Sequence, residues 1–232
     1  GSEDGAQAFR MASYEYFPYW FEYQVDLEGH CIDCGNVRIP KVSPELAHEI
    51  IYRAVREVLR SGLIPIICGG DHSISIPASR ALSDHIGENG RMGYLHLGAH
   101  LDMADSWAGE KMTSPCTMAR ITELPNVHPE NVAHVGARNS MNPRDHVELA
   151  ESRGIRFFSM REVIDRGIAP VVDEAADRLW NDTAGQYLSI NMNVMDASAA
   201  PGVTAPEPGG LESRAVMQLA TLLGEKGAPS II

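Results

Sequence analysis

The chain has 232 residues, 44% of them hydrophobic, enough for one large domain or a compact pair with an ample core. A formal net charge of −12 argues against nucleic acid and anionic membranes, which attract basic surfaces. No apolar run approaches the roughly 20 residues of a membrane-spanning helix, and the opening Gly1-Ser2-Glu3-Asp4 carries no signal-peptide pattern, so a cytoplasmic location is expected.

Near the start, Tyr14, Tyr16, Phe17, Tyr19, Trp20, Phe21 and Tyr23 form a dense aromatic cluster. Such a cluster suits either core or a subunit contact. Cys31-Ile32-Asp33-Cys34 is a C-x-x-C with no second pair, which is poor evidence for zinc. With Cys68 and Cys116, these cysteines are expected to be buried, reduced structural thiols. Ser43 is a good helix N-cap, with Pro44 at the first helical position. Leu46, Ile50, Ile51, Ala54, Val55, Val58 and Leu59 then share one face, and Gly62 ends the helix. Strands are expected near 63–68, 93–97, 131–135, 155–159 and 186–190. Helices are expected near 75–86, 144–153, 161–180 (broken near Gly167 and Pro170) and 211–224. This alternation predicts an α/β three-layer sandwich, a mostly parallel sheet flanked by helices on both faces. Open sheets of this kind place their sites at the carboxyl ends of strands.

Four segments carry the chemistry. Ser189-Ile190-Asn191-Met192-Asn193-Val194-Met195-Asp196 reads as a metal site with its charge removed. Strand alternation would set Asn191 and Asn193 on one face. Two carboxylates there would hold a divalent cation, whereas amides are weak ligands and supply no anion. Gly69-Gly70-Asp71-His72-Ser73 follows one apolar run, and His96-Leu97-Gly98-Ala99-His100-Leu101-Asp102 follows another. Pro206-Glu207-Pro208-Gly209-Gly210 forms a turn. Asp71, Asp105 and Asp196 read as groups that fix neighbouring loops.

In order and spacing these motifs resemble the ureohydrolase family of arginases, agmatinases and guanidino-acid hydrolases, over roughly residues 30 to 215. The resemblance implies an arginase-like fold and a single ureohydrolase-like domain over 1–232, incomplete at its C-terminus. In that family six side chains hold two divalent ions, usually manganese and sometimes nickel. The matching positions are His72, Gly98, His100, Asp102, Asn191 and Asn193. His72, His100 and Asp102 match. Gly98, Asn191 and Asn193 depart, and the two metal-bridging carboxylates fall at Gly98 and Asn191. One remaining carboxylate would leave two ions with a large uncompensated charge. The family's ions activate a bridging water. Its proton-shuttle histidine falls at Pro115, within Ser114-Pro115-Cys116-Thr117.

The resemblance therefore implies a chain with vestigial metal positions, no catalytic residue and no metal cofactor of its own. The expected role is the non-catalytic subunit of a heteromeric ureohydrolase, in a trimer or hexamer. An active paralogue would carry the manganese or nickel and hydrolyse a guanidine or a metformin-type biguanide, releasing urea or a related product. A ligand-sensing pseudoenzyme and an active hydrolase with one atypical metal are the alternatives.

Overall fold

A computed structural model describes residues 4–232. Gly5–Ser13 is a helix (α1), followed by a small antiparallel pair, Tyr19–Trp20 (β1) and Val25–Asp26 (β2). Pro44–Arg60 (α2) starts as its sequence dictates: the Ser43 side chain accepts from the Leu46 N–H, and Pro44 needs no partner in the first turn. Then come Ser75–Ile86 (α3), Met92–Leu97 (β3), Thr117–Ile121 (α4), Val127–Ala137 (β4), Arg144–Ser152 (α5) and Arg156–Ser159 (β5). Met160–Arg166 (α6), Ile168–Trp180 (α7), Gly185–Ile190 (β6) and Ser213–Lys226 (α8) complete the order. The expected break between α6 and α7 falls at Gly167, whose φ of 82° suits glycine.

β5, β4, β3 and β6 form one sheet in that order, and every pairing is parallel. Parallel strands need covered faces. Side chains alternate along β3, so Met92 and Tyr94 join a core with α2 and α3, while Leu95 and Leu97 join another with α6, α7 and α8. The two cores make the predicted three layers. Gly93 lies where a Cβ would approach the Leu179 carbonyl to 2.0 Å, so α7 packs directly on the β3 backbone.

Asn131 of β4 is fully buried, and its amide donates to the Arg178 carbonyl (3.1 Å) and the Asn181 carbonyl (2.7 Å). These carbonyls lie at the end of α7, where no later N–H reaches them. Asn131→Ala is expected to cost about 1–2 kcal/mol, read from the urea midpoint. An unchanged midpoint would mean that water replaces the amide at no cost.

Two expectations change, and one of two open alternatives is excluded. The aromatic cluster is not core: Tyr14, Tyr16, Phe17, Tyr19, Trp20, Phe21 and Tyr23 are all exposed, Phe17 by 90%. The segment closes on itself and on α8, with Trp20 edge-on to Tyr23 at 5.3 Å and the Tyr23 hydroxyl 2.9 Å from Thr221 Oγ1. Residues 63–68 are extended but form no ladder strand; two backbone bonds join Pro65 and Ile67 to Ile232. Cys31, Cys34 and Cys68 are exposed because the surface segments carrying them have no layer above, and Cys116 is buried. Among the described residues, no helix is long and apolar enough to cross a membrane.

Candidate metal centre

The register of the sheet builds the floor of the site. His96 lies opposite His134 on β4 and Ser189 on β6, so the three share one sheet face. Both histidines are fully buried, and their rings meet edge to face at 4.5 Å. His134 Nε2 donates to the His100 carbonyl at 2.9 Å, which leaves Nδ1 without a partner. Neither nitrogen of His96 has a hydrogen-bond partner.

His72 enters from above, on a short 3-10 turn that Asp71 caps by accepting from the Ser73 N–H. Its ring lies 4.4 Å from that of His96. His72 Nδ1 donates to Asp102 Oδ2 at 2.7 Å, and Nε2 meets Ser189 Oγ at 2.9 Å. Ser189 continues to Ser75 and Tyr187. Asp102 sits just beyond β3 with a φ of 51°. A non-glycine residue there carries a local strain that the surroundings must hold. The strained backbone aims its carboxylate inward, 4.0 Å from His96 Nε2.

Burial pushes His134 down to about 4, and burial followed by the neighbouring imidazoles holds His96 well below the ordinary histidine range. A depressed histidine pKa means that the unfolded chain binds more protons between the two values. His134 therefore contributes full stability above about pH 6.5, and that contribution is lost as pH falls toward about 4. The slope is about 1.4 kcal/mol per pH unit at most for one such group. Urea unfolding of chelator-treated protein across this window should show the loss, reduced in His134→Gln. Identical pH profiles would remove His134 as the cause.

The structure brings His72, Asp102, His100 and Asn193 into one cleft and gives the departures structural jobs. The Asn193 amide donates to His100 Nδ1 at 3.2 Å, and its oxygen accepts from the Ala99 N–H at 3.0 Å. The Asn191 oxygen accepts from the Asn193 N–H, capping a second 3-10 turn over Met192–Val194. The strand therefore ends at Ile190, and the alternation expected for Asn191 and Asn193 gives way to that turn. His100 Nε2 lies 3.5 Å from Glu207 Oε1 without hydrogen-bond geometry. Asn139 anchors Glu207 at 2.7 Å. Pro115 sits in a 3-10 turn and offers only its carbonyl, to the Ala104 N–H. Asp196 accepts from the Ser198 side chain and backbone and from the Gly209 and Gly210 N–H groups, which hold its carboxyl near 2. Asp105 lies away from the cleft and pairs with Lys111 and Arg120.

Residues 1–230 match the Arginase family along nearly the whole chain. The chain belongs to the arginase family. It is 32% identical over 91% of its length to an uncharacterised 32.2 kDa protein of Methanothermus fervidus, covering 69% of that protein. A formimidoylglutamase of Halalkalibacterium halodurans is 31% identical over 66% of the chain, which spans 47% of that relative's length. The crystal structure of formimidoylglutamase from Bacillus subtilis superposes with a TM-score of 0.92, covering all of this chain and 72% of the other. At 21% identity, that likeness shows the arginase fold alone.

The arginase-family pair of ions does not fit these residues. Gly98 has no carboxylate, and a Cβ there would lie 2.6 Å from His96 Nε2. The amide of Asn193 occupies His100 Nδ1, and neither Asn191 nor Asn193 supplies a carboxylate to offset an ion's charge. Sequence reasoning missed His96, Ser189 and Arg138. Alternation from His96 through Gly98 was a usable signal for the first; nothing in the sequence marked Ser189 or Arg138.

Proposed function

We propose that this chain is the non-catalytic subunit of a heteromeric ureohydrolase, assembled as a trimer or hexamer beside an active paralogue. The paralogue supplies the manganese or nickel pair and hydrolyses a guanidine or a metformin-type biguanide. One observation carries the reading: the arginase fold surrounds a cleft in which Gly98, Asn191 and Asn193 stand at half of the family's metal-holding positions. Such a scaffold retains interface area and loops while lacking the bridging water that hydrolysis in this family uses. The exposed aromatic segment from Tyr14 to Tyr23 supports the assembly, because large exposed apolar patches mark interaction surfaces. An obligate contact of this kind buries on the order of 2,000 Å² or more. Relatives named for guanidine and formimidoyl substrates, a guanidinobutyrase and a formimidoylglutamase, support the substrate class.

Co-expression with an intact-motif paralogue, then tandem purification and urea-release assays on each subunit and the mixture, tests this. The two chains are expected to co-purify, with the paralogue less active or insoluble alone. A paralogue that is fully active alone and never co-purifies would end the heteromer reading. Binding of a guanidino compound by this chain alone would then favour the ligand-sensing alternative.

A further inference from the structure

We infer that the chain holds one transition-metal ion of the zinc class between His72, His96 and Asp102, a site opened by the missing side chain at Gly98. This goes beyond the proposed function. It narrows the loss of metal to the paired, hydrolytic centre.

The side chains of His72, His96 and Asp102 are nearly inaccessible, at 5%, 0% and 7% exposure. One donor atom from each lies within 4.8 Å of the other two. The contacts to Asp102 Oδ2 are 2.7 Å from His72 Nδ1 and 4.0 Å from His96 Nε2. Ligand atoms about 2.0–2.1 Å from a tetrahedral ion stand about 3.3 Å apart, a value between those two contacts. Two imidazoles and one carboxylate are the donor set of zinc and related divalent ions.

His96 points to a ligand independently of the cluster. Both of its nitrogens are buried without partners, a costly state for a polar ring. Solvation of the ring by water is limited in a spot with no accessible surface. An ion would satisfy one nitrogen directly. Asp102 adds a second sign, since its left-handed backbone at φ 51° holds the carboxylate toward both rings.

The pairing of His96 with Gly98 explains why this site differs from the family's. His96 Nε2 occupies the volume that a side chain at 98 would fill, at 2.6 Å from a Cβ. A carboxylate at 98 and this His96 rotamer exclude each other. Losing the side chain admits the imidazole. One divalent ion against Asp102 leaves a single uncompensated positive charge, far less than a pair would leave. The fourth position of a tetrahedral ion falls to water, while Ser189 Oγ orients the ring through His72 Nε2. His100 stays outside: the cluster of donor atoms that lie within 4.8 Å of one another holds His72, His96 and Asp102 and not His100.

Titration of the full chain with zinc(II) alone by calorimetry, and with cobalt(II) alone by visible absorption, tests the site. The expected result is one ion per chain with tetrahedral cobalt bands. Gly98→Ala should weaken binding at least ~100-fold by displacing His96, although it removes no ligand. His96→Gln should do the same without adding bulk, and circular dichroism shows whether each variant is folded. His100→Gln should leave the stoichiometry and the bands unchanged. Absence of binding by the folded wild-type chain, persistence of binding in His96→Gln, or its loss in His100→Gln would each overturn the assignment. All of these are measured without a partner subunit, so they stand apart from the co-purification result.

Discussion

Gly98→Asp is expected to lower stability by about 3 kcal/mol, the sum of a steric and an electrostatic cost. The new Cβ would sit 2.6 Å from His96 Nε2 and 3.2 Å from its Cδ2. The imidazole cannot simply retreat, because His72 lies 4.4 Å away on one side and His134 4.5 Å away on the other. In the ion-free, chelator-treated chain the new carboxylate would also join Asp102 in a buried cleft without a matching cation. For a chain of this size each kcal/mol moves Tm by about 2–4 °C, so a fall of about 6–12 °C is expected. His96→Ala introduced with Gly98→Asp should recover part of the loss, and a double-mutant cycle gives the coupling. A Tm shift under about 2 °C for Gly98→Asp would show that His96 swings aside freely. It would also show that position 98 no longer controls the cleft. Restoring aspartates at 98, 191 and 193 together meets the same obstacle. It also removes the Asn193 amide from His100, so the triple change alone is not expected to rebuild a two-ion centre.

Arg138→Met is expected to cost about 3–5 kcal/mol, with no contact to any substrate lost. The guanidinium is buried and reaches six backbone carbonyls: Gly136, Asn193, Val194, Met195, Glu207 and Pro208. Gly136 belongs to β4; the other five carbonyls belong to the turn after β6 and the Pro206–Gly210 turn, the two loops behind the cleft. Methionine keeps much of the volume and none of the donors, so the carbonyls would have to find water or stay unpaired. Burial lowers the Arg138 pKa from its ordinary value, the direction expected for a cation held by dipoles in place of solvent. Equilibrium urea unfolding should show a lower midpoint with an unchanged slope. A loss below about 1 kcal/mol would mean that the loops are held by their own hydrogen bonds, such as Leu211 N–H to the Val194 carbonyl.

Much of the architecture was legible in the sequence because the signals were local. Ser43 and Pro44 mark the start of α2, and Gly167 marks the break between α6 and α7. The apolar runs around residues 92–97, 131–135 and 185–190 are strands buried on both faces, and such strands read as continuous hydrophobic segments. The extended stretch at 63–68 looked the same, yet only two backbone bonds hold it to Ile232. The aromatic segment left core and contact surface both open, and its exposure excludes core. Composition cannot tell core from exposed contact surface, since both favour Tyr, Trp and Phe.

For the site, the resemblance of the ordered motifs to the ureohydrolases implied His72, His100 and Asp102 as donors and Gly98, Asn191 and Asn193 as gaps. The family and the departure from its metal pattern therefore follow from the sequence, because motifs preserve order along a chain. Only the tertiary structure decided what fills the gaps. The parallel register sets His134, His96 and Ser189 in one row from three separate strands, and His72 closes over it from a loop. Asn193 turns its amide to His100, and Arg138 ties the loops behind them. Those contacts join residues 24 to 117 positions apart, and their distances come from packing, which no local pattern of residues encodes.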